Sequence, residues 1–246
     1  NHDLKIPLGY SKSALIKMVL TDNSGNSIVK LTDPFEVIDF TNPEISLISQ
    51  FPKSLNNGEQ IEIHWTSSDN EAINSHLVQF SKDSGDNWTD LAKLPGTQQN
   101  WHWDVPDLVI ENSGIIRIIV IDHKNLMDST VTDNFSLIDK TEPELFIPLS
   151  KYHIEVNEND TLLQSFQVSD NVKLKNLIIE YSNIPRQFNQ VANIDLNLNQ
   201  KNTKSLKVKI PIPPGATKNA KLKAILTDNS GNSVSQTVKG IRVIDY

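Results

Sequence analysis

The sequence predicts an all-β protein made of antiparallel two-sheet sandwiches in tandem. Three observations lead there. Short alternating runs rich in Ile, Val, Thr and aromatic residues succeed one another, with scarcely any helical periodicity. Clusters of Gly, Pro, Asn and Asp separate them. The octapeptide LTDNSGNS stands at Leu20–Ser27 and again at Leu226–Ser233, an offset of 206 residues.

The match extends outward. SIVKLTDPFEVIDF (Ser27–Phe40) lies without a gap over SVSQTVKGIRVIDY (Ser233–Tyr246). Upstream, KIPLGYSKSALIKMVL (Lys5–Leu20) resembles KIPIPPGATKNAKLKAIL (Lys209–Leu226), with two extra residues in the later copy. At an offset of 100, IDHKNLMDSTVTDNFSLID (Ile121–Asp139) keeps the ends of the pattern and loses the glycine turn. Asp22 falls on Asp122, Phe35 on Phe135, Ile38 on Ile138 and Asp39 on Asp139. A unit of about 100 residues recurs, the period of a small sandwich domain rather than of a solenoid. The expected organisation is the back half of one unit over 1–41, a full unit over 42–140 and another over 141–246. The half unit is expected to be truncated, or completed by another segment, within a longer chain.

In the middle unit the strands are predicted at Ile45–Ser49, Gln60–Ser67, Ser75–Ser81, Trp88–Leu94, Asn100–Val105, Ile115–Asp122 and Thr130–Asp139. In the last they are Glu144–Leu149, Leu162–Ser169, Leu174–Ser182, Val191–Leu198, Ser205–Pro211, Lys221–Asp228 and Val234–Asp245. Residues 1–40 offer three more. In QIEIHW, Ile61, Ile63 and Trp65 share one face and Glu62 and His64 the other, so the tryptophan is core and the histidine is exposed. Trp101 and Trp103 repeat the pattern around His102. Pro43 and Pro143 mark linkers too short to act as flexible tethers.

Composition narrows the function. A net charge of −7 and a pI near 5.4, with no basic stripe, exclude a nucleic-acid backbone as partner. The absence of cysteine excludes disulfides and thiol catalysis. No apolar run approaches a membrane span, so no direct membrane insertion is expected of this segment. No Ser–His–acid arrangement or phosphate-cradling glycine loop stands out. SKDSGDNW (Ser81–Trp88) resembles the Asp-box hairpin of sialidases and other propellers. A propeller needs several copies and there is one, so the motif is expected to be a turn in which Gly85 takes positive φ and Trp88 packs beneath. His64 and His102 lie on adjacent strands without a third ligand, a poor zinc site.

From Gln60 to Asp139, IHWTSSDNEAINSHLVQFSKDSGDNWTDLA, NWHWDVPD, IRIIVID and FSLID resemble fibronectin-III-like or immunoglobulin-like modules of prokaryotic surface and secreted proteins. LTDNSGNS followed by VIDFTNPE resembles the end of bacterial adhesin Ig-like repeats, where a D-x-x-G-N turn precedes a D-x-T-x-P linker. The strand IIRIIVID lacks the tyrosine common in fibronectin modules.

In a seven-strand sandwich the loops after the second and sixth strands lie where the chain enters. Those loops carry Asp170 and Asp228 in the last unit, with Asp139 on the incoming linker; Glu142 and Glu144 follow in the same linker. The middle unit has Asp69, Asp122 and the incoming Asp39. Three like charges at one tip repel, and a Ca²⁺ ion with 6–8 oxygen ligands resolves the conflict. The resemblance implies calcium at such joints, and it adds Asp22 and Asp245 by position. Asp and Asn also make turns in their own right, which does not exclude the other role.

The sequence therefore predicts a non-catalytic extracellular segment at a cell surface. Tandem modules would form a stalk, adhesin, surface layer or filament, with Ca²⁺ at the joints. Its partners would be neighbouring modules of the same or another subunit, and a surface protein or glycan. The alternative is a binding or spacer module of a large secreted enzyme, recognising glycan through an exposed aromatic such as Tyr152 or Tyr181.

Overall fold

The computed structural model describes residues 3–7, 9–148, 154–198 and 203–245. Among these every regular element is a strand, and no helix is long and apolar enough to cross a membrane. In chain order the strands are β1 (Ser11–Ala14), β2 (Lys17–Thr21), β3 (Ser27–Leu31), β4 (Phe35–Val37), β5 (Glu44–Leu47), β6 (Ser54–Asn56) and β7 (Gln60–Ser68). Then come β8 (Ile73–Ser81), β9 (Thr89–Pro95), β10 (Asn100–Asp104), β11 (Ile110–Asp122), β12 (Met127–Val131) and β13 (Phe135–Ile138). The last are β14 (Glu144–Phe146), β15 (Glu155–Asn157), β16 (Thr161–Ser169), β17 (Leu174–Ile184), β18 (Gln187–Leu198), β19 (Lys204–Pro211), β20 (Thr217–Asp228) and β21 (Ser233–Ile244). The sequence reading missed the three-residue β6 and β15, and residues 1–40 hold four strands where three were expected. The run Thr130–Asp139 is two strands rather than one, because Thr132–Asn134 turn out of the ladder.

The chain forms two compact units: residues 1–54, 60–104 and 110–136 in one, and residues 55–59, 105–109 and 137–246 in the other. In the first, β10, β7 and β5 form one antiparallel sheet, and β11 pairs with β8 and β12, with β9 beyond β8. Alternation places Ile63, Trp65, Val78, Phe80, Trp103, Ile116, Ile118 and Val120 inside. The Trp103 ring lies 5.2 Å from Phe80 and 5.9 Å from Phe135. Each such side chain contributes roughly 1.5–3 kcal/mol through burial. Trp101 is only half-buried.

In the second unit β14, β16 and β19 face the sheet β15-β21-β20-β17-β18 across a core that includes Phe166, Ile210, Leu177, Ile179, Leu226 and Ile241. The pairings are antiparallel except β15 on β21, which is parallel.

The internal repeat is exact in register. Leu20 pairs with Ile28 as Leu226 pairs with Val234, and Ala14 pairs with Phe35 as Ala220 pairs with Ile241. Strands β1–β4 are thus the β20–β21 hairpin in two pieces. The break falls where the Ile16 amide donates to Thr32 Oγ1 at 3.1 Å, a device repeated between Ile116 and Thr132 at 3.1 Å.

Candidate metal centres

Three local motifs build each site. The first is the turn at the end of β20, with its counterparts at the ends of β2 and β11. At Asp228, Oδ1 accepts the Asn232 amide at 2.8 Å and Oδ2 accepts the Asn232 side-chain amide at 2.7 Å. Asp22 makes the same bonds to Asn26, at 2.9 and 3.0 Å. At Asp122, Oδ1 accepts the amides of Lys124 and Leu126 at 2.7 and 2.8 Å. The middle turn is therefore kept without its glycine: Asn125, at φ 64°, stands where Gly25 and Gly231 stand at 88° and 94°. Asparagine tolerates this left-handed region better than other side chains do. Leu126 replaces the asparagine of the other copies, so Oδ2 of Asp122 has no partner.

The second motif is the incoming linker. Asp39 Oδ1 accepts the Thr41 amide and Asp139 Oδ1 accepts the Thr141 amide, both at 3.0 Å, the Asx turn of a D-x-T sequence. The third is the Asp-Asn pair that follows β7 and, in the second unit, β16. Asn70 donates to Asp39 Oδ1 at 3.1 Å and Asn171 to Asp139 Oδ1 at 3.3 Å. Asp170 Oδ2 accepts the amides of Val172 and Lys173 at 3.0 and 2.6 Å. The asparagines tie the loops to the linkers.

The result is two convergent sets. Asp39, Asp69 and Asp122 bring carboxylate oxygens within 4.8 Å of one another, and so do Asp139, Asp170 and Asp228. Each set lies within one compact unit. Asp228 is fully buried, Asp122 is 1% exposed, and Asp39, Asp139 and Asp170 are all buried. Asp22 and Asp245 are exposed and belong to neither set.

Several of these oxygens lack hydrogen-bond partners. In the first set they are Asp39 Oδ2, Asp69 Oδ1 and Asp122 Oδ2; in the second, Asp170 Oδ1 and the neighbouring Asn171 Oδ1. A buried acceptor left unsatisfied costs about 1–3 kcal/mol, more when charged. Burial raises the pKa of Asp170, and the charges of Asp139 and Asp228 push it the same way. An unpaired oxygen at one carboxylate is a defect; the three that converge in the first set are an arrangement a cation would satisfy. With only oxygen donors, each set fits a hard cation of the calcium class rather than zinc.

Two contributors to the second set were not legible in sequence. Ser230 Oγ donates to Asp139 Oδ2 at 3.4 Å, and the Asn232 side chain donates to the Asp139 carbonyl at 3.2 Å. A cleft of about 320 Å³ beside Asp170 is lined by Asp107, Thr141, Glu142, Glu144, Ser169, Asp170 and Asn171.

Other expected features fall elsewhere. Tyr181 is a core residue, 2% exposed, because it continues the inward alternation of Leu177 and Ile179; it offers no surface to a glycan. Tyr152 lies outside the described residues. His64 and His102 both approach Glu62, at 3.2 and 3.9 Å. In the Asp-box segment Ser81 and Asp83 bind local amides, Gly85 has φ +97°, and Trp88 lies against it. His76 is fully buried, its Nε2 2.8 Å from Ser67 Oγ and its Nδ1 3.3 Å from the Pro95 carbonyl.

No family model matches the chain, and no curated protein matches it. Among solved structures it is similar to fibronectin(III)-like modules of Clostridium thermocellum CbhA, with 12% identity over 82% of this chain and 95% of that one, at a TM-score of 0.33. The IG1+IG2 segment of DIP-gamma gives 12%, 84%, 99% and 0.36. A 1.5-MDa bacterial ice-binding adhesin gives 12%, 83%, 66% and 0.28. The fold class itself rests on the strands and sheets described above.

Proposed function

We propose that the chain is a non-catalytic, extracellular structural segment whose tandem Ig-like modules, 42–140 and 141–246 with the half module 1–41 before them, are stiffened by bound Ca²⁺. The observation that carries the reading is the convergence of three separate segments on each carboxylate set. Asp139 belongs to the linker, whereas Asp170 and Asp228 belong to the tip of the sandwich that the linker enters. An ion shared by all three fixes the direction in which the linker leaves that tip. Asp39, Asp69 and Asp122 do the same for the middle module.

The work done is mechanical. Such a segment holds a distal element away from a cell surface, as a stalk, adhesin or filament would, with neighbouring modules as its immediate partners. A surface protein or a glycan is the proposed distal ligand. Extracellular sites of this kind bind Ca²⁺ with Kd on the order of 10⁻⁴–10⁻³ M. Small-angle scattering and thermal melting of the 246-residue chain, with millimolar Ca²⁺ and with chelator, test it. Chelation should lower the melting temperature and broaden the distance distribution while the β circular dichroism persists at low temperature. Identical curves in both conditions would remove calcium from the account.

A further inference from the structure

The hairpin β2–β3 carries an apolar face that nothing among the described residues covers. Leu20 is 73% exposed, and Met18 and Ile28 on the same face are exposed as well. Their repeat equivalents in the second unit are Leu226, Ala224 and Val234, with Leu226 fully buried. There the free side of the hairpin is occupied by β17, with Leu177 opposite Leu226 and Ile179 opposite Ala224. Since the two hairpins share their register residue for residue, the later copy shows what the earlier one receives.

We infer that the outer edge of β2 is an acceptor site for an antiparallel β17-type strand, with aliphatic residues opposite Met18 and Leu20, supplied from outside these 246 residues. Backbone chemistry fits. The bonds from Asp22 N to Asn26 O and from Thr32 N to Ile16 O fix the alternation of the ladder. Antiparallel pairing then points the amides of Lys17, Val19 and Thr21 away from β3, an open edge of the kind that strand addition uses. Charge fits too. Glu180 of β17 lies 3.4 Å from Lys223, whose repeat equivalent is Lys17. A second copy of these residues cannot donate its own β17, which is already paired on both edges, with β18 and β20.

The test adds a synthetic peptide with the sequence of Lys173–Ile184 to the 246-residue chain and follows amide exchange by NMR. Saturable binding with new protection at Lys17, Val19 and Thr21 is expected. Leu20→Asp, at an exposed position, should weaken the peptide by about tenfold or more, and Val29→Ser on the opposite face should leave it unchanged. Absence of protection at those three amides overturns the proposal. Protection that instead grows with concentration of the chain alone overturns the assigned source, because a second copy would then be the donor.

Discussion

Asp139 and Asp228, one from a linker and one from the last hairpin turn, hold carboxylate oxygens within 4.8 Å of each other while both are buried. Among the described residues neither forms an ion pair with Lys or Arg. A fold that carries this arrangement in two units carries a repulsion that a bound cation would reverse.

Asp170→Asn and Asp122→Asn should therefore change sign with calcium. Each wild-type carboxylate has one oxygen on backbone amides and one without a partner. The asparagine keeps the first oxygen and turns an amide donor toward the other carboxylates. In chelator each variant should be more stable than the parent, by roughly 1–3 kcal/mol. In excess Ca²⁺ it should be less stable, since a site at 100-fold excess over Kd contributes about 2.7 kcal/mol. Urea unfolding in both conditions measures the crossing.

Gly231→Ala should destabilise the last hairpin. Nothing lies within 4 Å of the added Cβ, so the penalty comes from φ +94° alone. About 1–2 kcal/mol is expected in chemical denaturation.

Stability should fall as the pH drops below 6.5 because of His76. Burial lowers its pKa from 6.5, so its contribution is complete above 6.5 and lost as pH falls through the folded value. Unfolding free energies between pH 7 and 5 should decline with a slope that does not exceed about 1.4 kcal/mol per pH unit for this group. His76→Gln should flatten that slope.

The Asp83 turn should respond at more acidic pH. Bonds from the Asn87 side chain and backbone, then from Ser81, lower its pKa from 3.8 to about 2. Its stabilising contribution is present above 3.8 and disappears as pH falls through about 2. Asp83→Ala should be less stable than the parent at pH 7, with the difference shrinking as the pH falls below 3.8 and gone only below about 2, by thermal melting.

Much of this was legible because β-strands write their pattern at period two and turns write theirs in Asp, Asn and Gly. Ile63, Trp65 and Trp103 read directly as core. The six aspartates could be grouped from strand parity alone, which fixes the end of a sandwich at which a loop lies. Other features left no local trace. β6 and β15 are too short for a period, and Thr132 looks like a strand residue until its hydroxyl accepts the Ile116 amide. Tyr181 reads as a binding aromatic in isolation and as core only when β17 is paired on both edges. The middle turn hid because Asn125 substitutes for glycine in conformation but not in spelling.

Calcium binding to the 246-residue chain, measured by equilibrium dialysis at neutral pH, tests the central claim most directly. Two saturable sites in the millimolar range or tighter are predicted, one removed by Asp122→Asn and the other by Asp170→Asn. No saturable binding, or binding that both substitutions leave intact, would contradict it.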